Sequence, residues 1–239
     1  FSDADVLLAI GYNPMVSSFA PFGGLQGTDP FVTLRKCKAA GLKLIVIDPR
    51  RTELATQADI FLQIRPGEDP ALLAGLLRVI LSEELHDADF CEAWVEPEHL
   101  EALWAAVEPF TPDRVAERCG VDALDLVAAA RLFSAGPTGI SGSGTGPSMS
   151  PHPSLMEHLS LCLNVVCGRY LREGQRIEAG GFLQPEVPKR AQVIGPFGDP
   201  SGPESRFRGL RGYNGEMPCT TLAQEICEPG PEQVRALIV

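Results

Sequence analysis

The chain has 239 residues and carries 20 basic against 31 acidic side chains, which gives a formal net charge of −11. This length is sufficient for one or two domains with a buried core. The acidic balance argues against nucleic acid and anionic membranes as partners. No apolar stretch is long enough to span a bilayer, so no direct membrane span is expected.

The first part of the sequence alternates between strand and helix signals. Strands are predicted at residues 4–10, 43–47 and 60–64. The pair Asp29-Pro30 predicts the start of one helix, which ends before Gly41, a short helical patch covers residues 53–58, and Asp69-Pro70 begins the next long helix. This alternation is typical of βαβ units. The predicted fold class is therefore α/β, a Rossmann-like parallel sheet flanked by helices.

The later part of the sequence is mostly helical and then loses its periodicity. Helices are predicted at residues 88–94, 97–107, 112–118 and 122–133, then a strand at 139–142, a glycine loop at 142–147, a helix opened by Ser150-Pro151, a helix at 220–226 and a strand at 234–239. We predict a dinucleotide-binding domain over residues 1–168 with a helical insert at 88–133, an irregular excursion at 169–217 and a return segment at 218–239. The missing initiator Met and the strand-like carboxyl end predict a fragment of a longer protein.

Polar residues follow each of the first three predicted strands. The strands end in Gly11-Tyr12-Asn13-Pro14, in Asp48-Pro49-Arg50 and in Pro66-Gly67-Glu68-Asp69. Ligands of open parallel sheets bind at this edge. Carboxylates there suit ribose hydroxyls and the N–H donors of guanine, and the amides of Gly11 and Gly67, with Arg50 or Arg65, could hold a pyrophosphate. The sequence therefore favours a nucleotide as the ligand.

Simpler structural roles remain open for the same residues. Asp48 and Asp69 each precede a proline and could be helix N-caps. Arg50 and Arg51 could simply be solvated surface residues with no binding role. The loop from Gly142 to Gly146 contains no GxGxxG motif and no Walker lysine. Seven cysteines without a CxxC pair predict reduced, mostly buried thiols.

Several motifs occur together in a known order. They are GYNP, VIDPRRTELATQADIFLQIRPGEDPALLAGLLRVIL, DFCEAWV, FTPDRVAERCGV and LVAAARLF. This set resembles the molybdopterin oxidoreductases of the dimethyl sulfoxide reductase and formate dehydrogenase family. In that family the pattern is a strand ending in GxNP, then DPRxTxTAxxAD, then PGTDxAL. The resemblance covers residue 4 to about residue 133.

The resemblance implies a molybdenum or tungsten centre held by two molybdopterin guanine dinucleotides, with this fragment at the nucleotide end of one of them. By motif match, Gly11 and Asn13 would line the phosphates and ribose, Asp48 and Arg50 would lie at the ribose and guanosine, Gly67 and Asp69 would bind guanine, and Gly142 and Gly144 would lie near the pterin. A 4Fe-4S cluster is possible in a missing amino-terminal part. None of the seven cysteines matches the family's cluster or metal ligands, so no metal-binding or catalytic residue is assigned.

The sequence departs from the family at two places. The family commonly has GNxGxPGG where residues 167–174 read CGRYLREG, and Glu68 replaces the Thr of PGTD. The substrate, a small molecule, therefore stays open. We expect an electron-transfer subunit or redox carrier as partner and a cytoplasmic location, or a periplasmic one if a missing amino terminus carries a twin-arginine signal. One alternative is a metal-free structural subunit of an electron-transfer complex, and another is a domain of a thiamine-diphosphate enzyme.

Overall fold

A computed structural model describes residues 4–16, 30–170, 172, 204–212 and 217–237. The chain divides into two compact units, residues 1–176 and 177–239. The helix-capping role predicted for Asp29, most of the loop between residues 16 and 28 and most of the predicted excursion at 169–217 lie outside the described residues.

The first unit is built on a parallel sheet of four strands. The strands are β1 (Val6–Ile10), β2 (Lys43–Ile47), β3 (Ile60–Leu62) and β4 (Gly139–Ser143). Their order is β3-β2-β1-β4, and every neighbouring pair is parallel. Apart from the exposed Lys43 at the start of β2, both central strands are apolar and buried, as expected for strands covered on both faces. The predicted α/β fold class is confirmed.

Nine helices surround or follow the sheet in the described part of the chain. They are α1 (Pro30–Ala39), α2 (Asp69–Ser82), α3 (Ala88–Trp94), α4 (Pro97–Val107), α5 (Pro112–Cys119), α6 (Ala123–Ala135), α7 (Thr145–Ser148), α8 (Pro153–Val166) and α9 (Leu222–Cys227). Two short 3-10 turns, Ala55–Gln57 and Cys219–Thr221, complete the set. The first of these lies within the helical patch predicted at residues 53–58.

Alternate residues of the central strands feed two separate hydrophobic cores. Leu8 and Ile45 point to the face covered by α2, α6 and α8, whereas Ala9 and Val46 point to the face covered by α1. Successive side chains of a strand leave on opposite sides, which explains this division. Helix α2 is buried almost all round, because α4, α5 and α6 pack on it from outside. The helical block therefore belongs to the same core as the sheet.

Short-range signals set where most helices begin. The side chain of Asp87 accepts a hydrogen bond from the backbone N–H of Phe90, and that of Asp122 accepts from Leu124 and Asp125. These contacts satisfy donors that a helix start leaves without partners. Helix α5 ends at Gly120, whose φ of 76° is the left-handed conformation that glycine adopts without strain.

Three predicted elements differ from the structure. Strand β3 stops at Leu62, because the chain then turns to α5, where the N–H of Arg65 donates to Cys119 O at 2.8 Å. The glycine loop at 142–147 contains the four-residue helix α7. Helix α8 begins at Pro153 rather than at Ser150-Pro151, and Pro153 occupies its first turn.

The second unit holds α9 and a small polar cluster. Ser205 donates to Glu225 at 2.6 Å, and the guanidinium of Arg206 pairs with the same carboxylate at 2.7 Å. The predicted strand at 234–239 is wrong where it can be checked, since residues 234–237 form no strand. A strand exists only with a pairing partner, and the described residues supply none here.

Candidate functional site

The candidate site lies at the carboxyl edge of the sheet, where all four strands end. Because the strands are parallel, the residues after β1, β2, β3 and β4 meet at one edge. The eight residues predicted for the site lie at these strand ends, in the turns that follow them or, for Asp69, at the start of the next helix: Gly11, Asn13, Asp48, Arg50, Gly67, Asp69, Gly142 and Gly144.

The turns after β1 and β4 touch each other through their backbones. The N–H of Gly144 donates to Ile10 O at 2.8 Å, and a Cβ added to Gly144 would lie 2.1 Å from Gly11 O. Gly11 has a φ of 56°, and a Cβ there would meet Pro147 at 2.4 Å. Only glycine fits at both positions. Gly142 is buried inside β4, paired with Ala9.

The amide of Gly11 is already used within the fold. Its N–H donates to Ile47 O at 2.8 Å, which continues the ladder between β1 and β2 by one residue. The prediction that this amide holds a pyrophosphate is therefore wrong. Gly11 instead allows the turn after β1 to lie against the turn after β4.

Asp48 is a buried carboxylate, 9% exposed, directly after β2. Its Oδ1 accepts a hydrogen bond from the N–H of Arg50 at 2.8 Å, and its own N–H donates to Leu62 O at 3.3 Å. This is a local turn and not a helix start, so the N-cap alternative for Asp48 is wrong. The side chain has further acceptor positions, because a carboxylate offers about four lone pairs.

Asp69 is the first residue of α2 and is 7% exposed. The N-cap position is held by Glu68, so the N-cap alternative is wrong for Asp69 as well. Burial raises the pKa of the Asp69 carboxyl above its ordinary value, and the negative charges of Asp48 and Glu68 raise it further. The charge of Asp48 thus contributes to the raised pKa of Asp69, although burial is the larger cause.

The arginines of the region have different uses. Arg50 and Arg51 are exposed. Arg65 donates to the carbonyl oxygens of Glu117 and Arg118 at 2.7 and 2.8 Å, at the end of α5. The prediction of Arg65 as a pyrophosphate ligand is therefore wrong, because its guanidinium binds helix carbonyls that would otherwise need partners. Arg50 is left as the cation predicted for the phosphates.

Two glutamates that sequence reasoning missed also lie at this edge. Glu53 accepts a hydrogen bond from the side-chain amide of Asn13 at 2.7 Å. That bond, after the carboxylate's own backbone contact, holds the pKa of Glu53 below its ordinary value. Glu157 on α8 accepts a hydrogen bond from Ser143 at the end of β4. No periodic signal links the members of either pair, since they are 40 and 14 residues apart in the sequence.

Gly67 completes the turn before α2, with a φ of 89° and Pro151 at 3.6 Å from where its Cβ would be. It also lines a largely apolar groove of about 900 Å³ between α2, α4 and α8. Most of the lining is Leu, Ala and Val, with three histidines and Arg118 among the rest, and the described residues of this lining include no carboxylate that could accept hydrogen bonds from guanine. The nucleotide-like chemistry is found at the strand ends and not in the groove.

The polar groups at the edge fit a guanine nucleotide. Asp48 and Asp69 are buried acceptors, and the Oδ1 atom of Asn13 is a buried acceptor without a hydrogen bond to any described residue. Guanine offers N1–H and N2–H₂ as donors, and ribose offers hydroxyls. The exposed Arg50 adds a cation for phosphate.

Curated proteins share sequence with just over half of this chain. Acetylene hydratase of Syntrophotalea acetylenica is 38% identical over 134 residues, which are 56% of this chain and 17% of that protein. The F420-dependent formate dehydrogenase subunit alpha of Methanocaldococcus jannaschii is 34% identical over 54% of this chain and 18% of its own length. The thiosulfate reductase molybdopterin-containing subunit of Salmonella typhimurium is 32% identical over 59% of this chain and 18% of its own length.

Part of this chain is homologous to molybdopterin oxidoreductases. The resemblance given by the motifs is thereby confirmed. The solved structure of acetylene hydratase from Pelobacter acetylenicus matches with a TM-score of 0.60 at 31% identity, over 72% of this chain and 22% of that one. The chain therefore spans about a fifth of the length of these molybdopterin oxidoreductases. No family model matches the sequence.

Two further findings concern the residues that the structure describes. Within them, no three His, Cys, Asp or Glu side chains are grouped to hold a metal ion. None of their helices combines the length and apolar character that crossing a bilayer requires. Four of the cysteines are buried and Cys162 is partly so, whereas Cys219 and Cys227 are exposed, and all seven are free thiols.

Proposed function

We propose that this chain is the central portion of a molybdenum or tungsten bis-molybdopterin guanine dinucleotide oxidoreductase and binds the guanosine end of one cofactor. One observation carries the proposal: two carboxylates are both buried at this edge of the sheet, Asp48 directly after β2 at 9% exposed and Asp69 at the start of α2 at 7% exposed. Buried like charges are costly and need donors. A guanosine moiety supplies those donors, from its base and its sugar.

The proposed roles follow the strand ends. Asp69, with Gly67 beside it, accepts from the N–H groups of guanine, and Asp48 accepts from ribose hydroxyls. Arg50 faces solvent next to Asp48 and binds phosphate. Asn13 and Gly11 line the sugar and phosphates. Gly142 and Gly144 lie at the other side of β1 and so at the pterin end.

The whole protein would be an oxidoreductase, in which the metal supplies two-electron chemistry and this portion holds and orients the cofactor. Two of the relatives named above support this reading, since one is a formate dehydrogenase subunit and the other a thiosulfate reductase subunit. We propose a small-molecule substrate and an electron-transfer subunit or redox carrier as partners, with a 4Fe-4S cluster possible in another part of the protein. A cytoplasmic or periplasmic location fits, and one relative is a periplasmic nitrate reductase.

The first test is analysis of the whole protein for metal and nucleotide. We expect molybdenum or tungsten, and GMP released by acid hydrolysis at about two per metal. Absence of both metal and GMP would end the proposal.

The second test separates the enzyme from a metal-free scaffold. Asp69→Asn keeps the shape of the side chain but removes an acceptor charge, and we expect it to lower GMP content at least several-fold. Asp113→Asn is the matched control, since Asp113 is an exposed acid in the first turn of α5. The metal-free scaffold would be favoured by two results together: a wild type that carries no GMP, and an Asp69→Asn variant that assembles normally.

A further inference from the structure

The side chain of Asn13 has a fixed orientation at the end of β1. Its Nδ2 donates to Glu53 Oε2 at 2.7 Å, across 40 residues of sequence. A carboxylate can only accept hydrogen bonds, so the amide nitrogen has to face Glu53. The amide oxygen then points the other way.

That oxygen is the unusual atom of the pair. Asn13 Oδ1 is closed off from solvent and accepts no hydrogen bond from any described residue. A buried acceptor without a partner is energetically costly, so such atoms are rare unless they have a role. Glu53 itself is exposed and contacts no other described side chain closely enough for a hydrogen bond except Asn13. The pair thus presents one aligned acceptor at the strand end.

We propose that Glu53 is a positioning residue, which orients Asn13 so that Oδ1 accepts a hydrogen bond from the nucleotide. The proposal rests on the function proposed above and deepens it. The donor is a hydroxyl of the sugar or an N–H of the base, because a phosphate oxygen carries no proton to donate at neutral pH. Since Oδ1 is enclosed, the donor reaches it only with a shift of the residues that cover it.

If the contact between Glu53 and Asn13 only stabilised the fold, substitutions of Glu53 would change stability. If Glu53 positions Asn13, they change nucleotide binding instead. In Glu53→Gln the introduced amide can still hydrogen-bond to Asn13, but it can donate to Oδ1 and turn the Asn13 amide around. Stability is then retained while the acceptor is lost. Adding Asn13→Asp to Glu53→Gln restores an acceptor, because one carboxylate oxygen binds the introduced amide and the other faces the site. The double variant also keeps the wild-type net charge.

The experiment measures GMP binding by calorimetry to the cofactor-free whole protein. We expect Glu53→Gln to raise the dissociation constant about five- to tenfold, as loss of one hydrogen bond does, with an unchanged urea midpoint. The double variant should return to within about threefold of wild type. Equal affinity of Glu53→Gln and wild type, or no recovery in the double variant, would overturn the positioning role. A wild type that binds no GMP would instead overturn the nucleotide site itself.

Three analogues identify the donor. The penalty of Glu53→Gln should persist with guanosine, which lacks phosphate, and its loss there would contradict the proposal. If the penalty disappears with 2′-deoxy-GMP, the donor is the 2′-hydroxyl, and if it disappears with IMP, the donor is the guanine amino group. If it persists with both, the donor is the 3′-hydroxyl or N1–H.

Discussion

The charged carboxylate of Asp69 is an example of a proposed binding residue that lowers the stability of the folded protein. The first turn of a helix favours a negative charge by about 0.3–1 kcal/mol. At this position burial and the charges of Asp48 and Glu68 outweigh that gain, since the pKa of Asp69 is raised. Sites that bind ligands often keep such unfavourable groups.

We therefore expect Asp69→Asn to stabilise the protein at neutral pH while it weakens GMP binding at least tenfold. A raised pKa in the folded state means that the folded protein holds the proton more tightly than the unfolded chain. The stability that Asp69 contributes is present below its ordinary pKa of 3.8 and is lost as the pH rises through the raised value. The gain in the urea midpoint of the variant should thus be largest near pH 7 and shrink towards pH 4.

Asp113→Asn provides the control, because it makes the same chemical change at an exposed helix start. It should leave the free energy of unfolding within about 0.5 kcal/mol of wild type at both pH values. A pH-independent effect of Asp69→Asn would contradict the argument from burial.

At the scale of single residues, the sequence pointed to Asp48 because it directly follows a strand signal, and to Asp69 because it closes the polar turn after the next one. It offered Arg65 as an alternative to Arg50 for phosphate, whereas Arg65 donates hydrogen bonds to the end of α5 more than 50 residues away. It also missed Glu53, whose partner Asn13 lies on another strand end. Strand ends can be located from local pattern, but partners that come together only through the sheet cannot.

At the scale of elements, the junction between the β1 and β4 turns has almost no free space. Gly144→Ala would place a Cβ 2.1 Å from Gly11 O, a backbone atom that cannot move aside alone. We expect a loss of about 1–3 kcal/mol in the free energy of unfolding, measured by urea denaturation. GMP binding should weaken as well, because both turns belong to the site.

Gly146→Ala is the matched control, two residues away in α7. A Cβ at Gly146 would meet nothing within 4 Å, and its φ is not in the left-handed range. Its stability should stay equal to wild type or rise by up to about 1 kcal/mol, since alanine favours helix. Similar losses for both variants would mean that the close approach is not the cause.

The start of α6 depends on one side chain. Asp122 accepts from the N–H groups of Leu124 and Asp125 at 2.7 and 3.3 Å. Asp122→Ala should lower the free energy of unfolding by about 1 kcal/mol, whereas Asp122→Asn, which caps nearly as well, should cost little. Thermal or urea unfolding of the two variants checks this. Equal losses would assign the effect to charge and not to capping.

Helix boundaries were predictable because capping residues and prolines act within one turn. Strand boundaries are harder to predict from sequence, because a strand ends where its pairing with a neighbouring strand ends. Residues 60–64 were predicted as one strand, but only Ile60–Leu62 pair with β2. Residues 234–237 show a strand-like pattern and yet form no strand in the described part of the chain. Apolar pattern alone does not supply a neighbour.

At the scale of the whole molecule, the first unit contains everything that the proposed site needs. All four strands, both hydrophobic cores and the eight predicted site residues come from residues 1–176. A compact unit with its own core can in principle fold alone. The described part of the second unit holds α9 and the cluster around Glu225.

We therefore expect a chain ending at Arg176 to unfold cooperatively and to bind GMP within about threefold of the 239-residue chain. Circular dichroism should show mixed helix and strand, and the urea transition should stay single, as for one domain. Leu72→Ala in the shortened chain is the control for a weakened core, since Leu72 is fully buried, and it should cost about 2–5 kcal/mol. If the shortened chain shows no cooperative transition, residues 177–239 contribute to the fold of the first unit. If it folds but loses GMP, they contribute to the site.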